Sequence, residues 1–150
     1  MSRFLQAFIR CARGSAAVEA AVVVPVLLTI GLGAAEAGNL VNENHKMKVG
    51  LAAGARMLAR AQTPASLEAE ARNLAVTGVR TGGGPRIPNW RTAHVQISYR
   101  FIDNSTNAYS GGAQIRVIRL ESTKPYHGMG LLGLAGAVQV HAVHEERWTG

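Results

Sequence analysis

Between Arg13 and Glu36 the chain carries a single ionisable residue, Glu19, and no other feature of the sequence limits the fold as strongly. Ala20–Ala35 are sixteen residues without a charge, and counting from Ser15 gives twenty-one with Glu19 as the sole ionisable group. As a helix the longer span covers about 31 Å, close to the roughly 30 Å hydrocarbon core of a bilayer. It can cross a membrane. The remainder, from about Gly38 onward, is roughly 110 residues, enough for one small domain and not for two.

Three bases, Arg3, Arg10 and Arg13, precede the apolar run with the amino terminus, whereas Glu36, Glu43, Lys46 and Lys48 cancel beyond it. Orientation follows the Lys/Arg excess at the ends of a span, which predicts a cytoplasmic N-terminus and an exported C-terminal domain. The formal net charge of +7 does not mark a nucleic-acid binder. The remaining bases are scattered singly from Lys46 to Arg147, without the clustering or aromatic interleaving that phosphate and base contacts need. The only cysteine, Cys11, lies before the apolar run, so the domain after it contains no disulfide.

Glu19 is costly where it stands. A carboxylate at the centre of a spanning helix costs about 2.5 to 3.5 kcal/mol on insertion scales, less near an end, and such groups are usually paired and functional. Three readings of the segment compete. It is a plain anchor; or a secretory signal peptide cut after Ala35-Glu36-Ala37, before Gly38; or a span preceded by a short leader that is cut at Gly14.

The residues around that last point resemble the start of a type IV prepilin: a basic leader, Gly14 at the cut, small Ser15 after it, and Glu19 in the fifth place of the mature chain before an apolar helix. The stretch "RGSAAVEAAVVVPVLL" with Pro25, then "GAAEAGNLV" and "AAGARMLA", is similar to the TadE-like family of minor pseudopilins of the tight adherence (Flp-type) pilus machinery. Ala20 departs from the aromatic that commonly follows the glutamate in that family. The resemblance implies a cytoplasmic leader (1–14) removed by a prepilin peptidase, a transmembrane helix (15–37) and an exported domain (38–150). It also implies a pairing of Glu19 with the new Ser15 ammonium of a neighbouring subunit, which offsets the burial of both charges. The partners it implies are other pilins and pseudopilins, the inner-membrane assembly platform and the lipid bilayer, with a structural role and no cofactor.

Pro25 removes one helical donor and favours a kink, tolerable in a membrane helix. Small residues recur at helical spacing, Gly31 with Ala35, Ala34 with Gly38 and Gly50 with Gly54, and such faces let another helix approach closely. Leu40, Met47, Leu51 and Leu58 carry an apolar stripe past the membrane, predicting one helix to about Ala61. Thr63 as cap and Pro64 at the first position start a second helix, whose apolar face is Leu67, Ala71, Leu74 and Ala75 and which ends before Gly78. "TGGGPRIPNW", Thr81–Trp90, breaks any helix and reads as a linker near 78–92.

Beyond it the period changes to two. Val95, Ile97, Tyr99 and Phe101 alternate with His94, Gln96, Ser98 and Arg100, predicting a half-buried strand. Ala113–Glu121 reads as a second strand, with room for a bulge near Val117-Ile118, and Ala137–Arg147 as a third. Short connections favour an antiparallel sheet with the helices packed on it, an α+β fold. The loop Tyr126–Gly136 is apolar yet too glycine-rich and short to span a bilayer.

No catalytic arrangement is legible. His141 and His144 fall on opposite faces of a strand, and His45, His94 and His127 have no partner at metal-ligand spacing. There is no Gly-x-Ser-x-Gly elbow, and the Glu145-Glu146 pair reads as a solvated chain end. The rival to a pilin-like protein is an exported binding module, freed after Ala37 or held by an uncleaved anchor.

Overall fold

The computed structural model describes residues 12–106, 108–130, 133 and 137–149. Helix α1 spans Ala12–Ala59; a 3-10 turn, Pro64–Leu67, leads into α2, Glu68–Thr77; a second such turn, Thr92–His94, precedes β1 (Val95–Asp103), β2 (Gln114–Pro125) and β3 (Gln139–Arg147). The strands form one antiparallel sheet in the order β1-β2-β3. A long apolar helix, a shorter second helix and a small antiparallel sheet make this the α+β arrangement expected from the change of period. The leader up to Cys11, and most of the stretch 131–136, lie outside the described residues.

At 48 residues α1 is about 72 Å long. Its two halves live in different surroundings. Up to Ala35 it stands clear of the domain, while from Glu36 onward one stripe is buried, with Met47, Leu51 and Leu58 fully enclosed. The helix runs alongside β3 in the same direction: Asn44 bonds the His141 carbonyl, Arg56 meets Glu146, and the Ala59 carbonyl accepts the Thr149 N–H.

Close approach of α1 to its neighbours requires two glycines. A Cβ on Gly50 would strike the Ala75 carbonyl and the Trp90 ring, and one on Gly54 would lie 2.8 Å from the Ala71 carbonyl and 2.9 Å from Leu120. This small-residue pair is therefore used inside the molecule, to seat α2 and the sheet. Ala71 and Ala75 of α2 complete the contact by being small themselves.

Several boundaries differ from expectation for local reasons. The Thr63 side chain makes no cap bond to the backbone; its hydroxyl meets Ser66 Oγ, its carbonyl accepts from Ser66, and the first turn is 3-10 rather than α. Gly78 ends α2 as expected, at φ 89°, with its N–H returned to the Leu74 carbonyl. No bulge interrupts β2: Val95 pairs with Ser122 through to Asp103 with Gln114 in unbroken register, and the β3 register is equally continuous. Val117 and Ile118 are both buried because they lie on opposite faces. Ile118 meets the core, whereas Val117 sits between Arg100 and Arg147, whose long aliphatic stems can cover it.

Residues Thr81–Trp90 form no helix or strand, yet Ile87 and Trp90 are each 1% exposed. The Trp90 ring closes over Gly50, and its Nε1 donates to Ser122 Oγ at 2.9 Å, so the indole is buried without losing a bond. On β1 only Val95 is buried; Tyr99 is 36% exposed and Phe101 56%. Helix α1 lies along β3 and β2, and ten-residue α2 is too short to cover the far half of β1 as well.

Candidate functional site: the apolar stalk and its junction with the domain

The stalk is apolar on every side. Val18, Val22, Leu27, Leu28 and Ile30 are each at least 60% exposed, a distribution that water would penalise and lipid would not. Among the described residues, none covers any part of its apolar window. From Gly14 to Ala35 it is long enough to cross a bilayer, so the chain is built for membrane anchoring. Pro25 does not interrupt the helix, and Thr29 directs its hydroxyl to the Pro25 carbonyl at 2.8 Å, which satisfies the one hydroxyl in the middle of the span.

Gly14, Ser15 and Glu19 all lie on α1. Ser15 and Glu19 are four residues apart and so share a face, one turn apart. Glu19 is exposed and has neither ion pair nor hydrogen bond among the described residues. Gly31 and Gly38 have nothing within 4 Å of where a Cβ would stand, and Ala35 is exposed. Among the described residues these positions, unlike Gly50 and Gly54, serve no contact.

Where the stalk enters the domain, a buried polar cluster holds it. Glu36 and Glu43, seven residues apart on α1, are 1% and 6% exposed. Lys124, wholly buried at the end of β2, donates to Glu43 Oε2 at 2.7 Å and to the Pro125 carbonyl at 3.1 Å. Tyr126 directs its hydroxyl to the Glu36 carbonyl at 3.1 Å and accepts from Asn39 Nδ2 at 3.0 Å. The Met129 N–H donates to Glu36 Oε1, while Glu36 Oε2 is buried with no hydrogen-bond partner among the described residues. Burial raises the Tyr126 hydroxyl above its ordinary value; Asn39 opposes the shift and the acidic neighbours add to it.

This cluster is not evident from charge counting, in which Glu36 and Glu43 simply cancel Lys46 and Lys48. One signal was available. Glu36 and Glu43 continue the stripe of Leu40, Met47, Leu51 and Leu58 at helical spacing, so both carboxylates had to face the core. Their cation lies three residues beyond the expected end of β2.

Elsewhere the titratable groups are dispersed. On the outer face of the sheet Glu145 accepts from Arg119 at 3.2 Å and Arg100 at 3.4 Å, and Arg119 meets Glu121 at 2.8 Å, which lowers the Glu121 carboxyl. His141 contacts Thr123, His144 meets Glu146, and His127 bonds Asn89. Among the described residues no group of three His, Cys, Asp or Glu is placed to hold a metal. Tyr99 donates to Glu68 Oε1 at 2.9 Å, and partial burial together with that carboxylate pushes it up to about 12.

The unfolded chain therefore releases the Tyr99 proton from about pH 10, where the folded one keeps it. Stability should be complete below pH 10 and fall as pH rises towards 12. Tyr99→Phe should remove part of that fall, read as a smaller shift of the urea midpoint between about pH 9 and pH 11.

No curated protein and no solved structure matches this chain. Residues 14–56, the stalk together with the stretch of α1 that carries Glu36, Glu43, Gly50 and Gly54, match the family model described as TadE-like protein, the family that the sequence of this segment resembles.

Proposed function

We propose that this protein is a minor pilin or pseudopilin of a tight adherence (Flp-type) pilus system, made with a leader that a prepilin peptidase removes after Gly14. The observation that carries the reading is Glu19. It is an acid without an ion pair among the described residues, exposed on an apolar stalk, inside the segment that the TadE-like family model covers. Cleavage after Gly14 leaves an ammonium on Ser15. The Glu19 carboxylate of one subunit then pairs with that ammonium on the next as their helices leave the bilayer, and the pairing sets their axial register. Gly14, with no side chain, lets the peptidase approach the bond closely. The reading places the protein in the bacterial inner membrane, with its N-terminus cytoplasmic and the sheet domain periplasmic.

Support for a cut at Gly14 rather than at Ala37 comes from the junction. Ala37 lies within the unbroken α1, between Glu36 and Asn39, both of which hold the domain to the stalk. A cut there would sever the clamp. N-terminal sequencing of the membrane-extracted protein tests this directly: Ser15 is the expected first residue, and Met1 or Gly38 overturns the proposal.

Glu19→Ala should leave insertion and leader removal intact while reducing incorporation into pili at least about tenfold, since removing one partner strands the other in an apolar setting. Normal pilus yield from that variant would end the register mechanism. Gly31 and Gly38, open in the monomer, are proposed to seat a sister helix. Gly31→Leu and Gly38→Leu should hold the melting temperature within about 2 °C and still impair assembly. A variant that melts early and assembles normally would mean the reverse.

A further inference from the structure

The two edges of the sheet are covered unequally. Along β3 runs α1, whose Asn44 donates to the His141 carbonyl at 2.7 Å. Among the described residues, the outer side of β1 is met only at its first residue, by Arg72 of α2. Successive residues of a strand turn their backbone groups to alternate sides. The Asn104 N–H bonds inward to the Ala113 carbonyl, so even-numbered residues of β1 face β2, whereas the Val95 carbonyl faces away and accepts Arg72 Nε at 3.2 Å. Ile97, Tyr99 and Phe101 share the outward side of Val95, and among the described residues no group from outside the sheet bonds their N–H or C=O. An uncovered edge of this kind is a template for another strand.

Beside that edge is a cleft of about 420 Å³, formed by the turn Gln62–Ala65, Tyr99, Phe101 and Arg116. The Arg116 guanidinium lies 5.4 Å from the centre of the Phe101 ring and 4.8 Å from that of Trp148. Arg100 and Arg119 both reach Glu145, but no carboxylate lies within ion-pair distance of Arg116 among the described residues. The cleft thus offers two aromatic side chains and one cation without an ion pair among the described residues, next to open backbone groups.

A second copy of the chain paired antiparallel does not suit this edge. Antiparallel pairing of β1 with itself needs a two-fold axis normal to the sheet. Because α1 runs along the strands, that axis reverses α1 too, and the two stalks leave in opposite directions. One bilayer cannot hold both, given that the stalk is the membrane span.

We propose that the β1 edge docks an extended segment of a different polypeptide, which adds as a fourth strand, sets alternate apolar side chains against Tyr99 and Phe101, and places a glutamate in the cleft against Arg116. The test uses the full chain in detergent and a nine-residue peptide of alternating threonine and valine, with glutamate replacing one valine. Two control peptides carry lysine at that place or N-methyl groups on alternate amides.

The glutamate peptide should bind at least about tenfold more tightly than the lysine peptide, and Arg116→Glu should reverse the preference. Exchange of the Ile97, Tyr99 and Phe101 amides should slow about tenfold or more on binding, and the N-methylated peptide should do neither. Absence of binding, binding without protection of those three amides, or indifference to the charge of the peptide would overturn the proposal. So would self-association of the chain that protects the same amides, which would assign the edge to a second copy. None of these results depends on which residue proves to be the N-terminus.

Discussion

Lys124→Met should destabilise the domain by about 3 to 5 kcal/mol, because it leaves Glu43 charged, buried and without its cation. Lys124 is wholly enclosed and the Glu43 side chain is 7% exposed, so water does not replace the lost 2.7 Å contact. In a domain of this size that loss lowers the melting temperature by roughly 15 °C or more. It is also a large share of the about 5 to 15 kcal/mol by which domains are stable at all. Pairing the change with Glu43→Gln should restore most of the loss, since removing both charges also removes the cost of burying them. Raising the salt to about 1 M should not alter the difference, whereas the half-buried Arg119–Glu121 pair is open to screening. If Lys124→Met alone costs less than about 1 kcal/mol, Glu43 has another route to water and the junction is not a closed clamp.

Gly50→Ala should cost about 2 to 4 kcal/mol, even though alanine favours a helix over glycine by about 1 kcal/mol. The added Cβ meets the Ala75 carbonyl, which is backbone and cannot rotate away, and the Trp90 ring, held by its bond to Ser122. To accept it α1 and α2 must move apart, opening the contact between Leu51, Ala71 and Ala75. Gly54→Ala should cost less, because Leu120 at 2.9 Å is a side-chain end that can give, although the Ala71 carbonyl at 2.8 Å cannot. Gly38→Ala, with nothing within 4 Å, should be neutral or slightly stabilising. Chemical denaturation of the three variants checks the ladder. A loss at Gly50 no greater than at Gly38 would mean that α1 and α2 are not in close backbone contact there.

Glu19 and Gly50 illustrate two kinds of legibility. Glu19 was conspicuous in the sequence because it breaks a long apolar run, and its setting on an exposed stalk is a property of one helix. The Gly50/Gly54 spacing was equally visible, but the same spacing suits packing within the chain and packing between chains, and only the placement of α2, Trp90 and Leu120 assigns it to the interior. Gly31 and Gly38 carry a similar pattern and meet nothing among the described residues. Spacing along a helix tells which residues share a face; it does not say what that face touches.

What the sequence by itself determined is whatever depends on near neighbours in the chain. Uncharged residues in sufficient number make a span, a period of 3.6 and then of 2 makes helices before strands, and Gly78 ends α2 because it can take a positive φ. What only the tertiary structure decided depends on groups far apart in the chain. Glu43 finds Lys124 eighty-one residues away, Trp90 leaves a glycine-rich segment to cover Gly50, and β1 is left without a helix over its far half. The physical reason is that a buried charge, a close backbone contact and an open strand edge are each fixed by what lies opposite, and the residues opposite are chosen by the packing of α1 along β3.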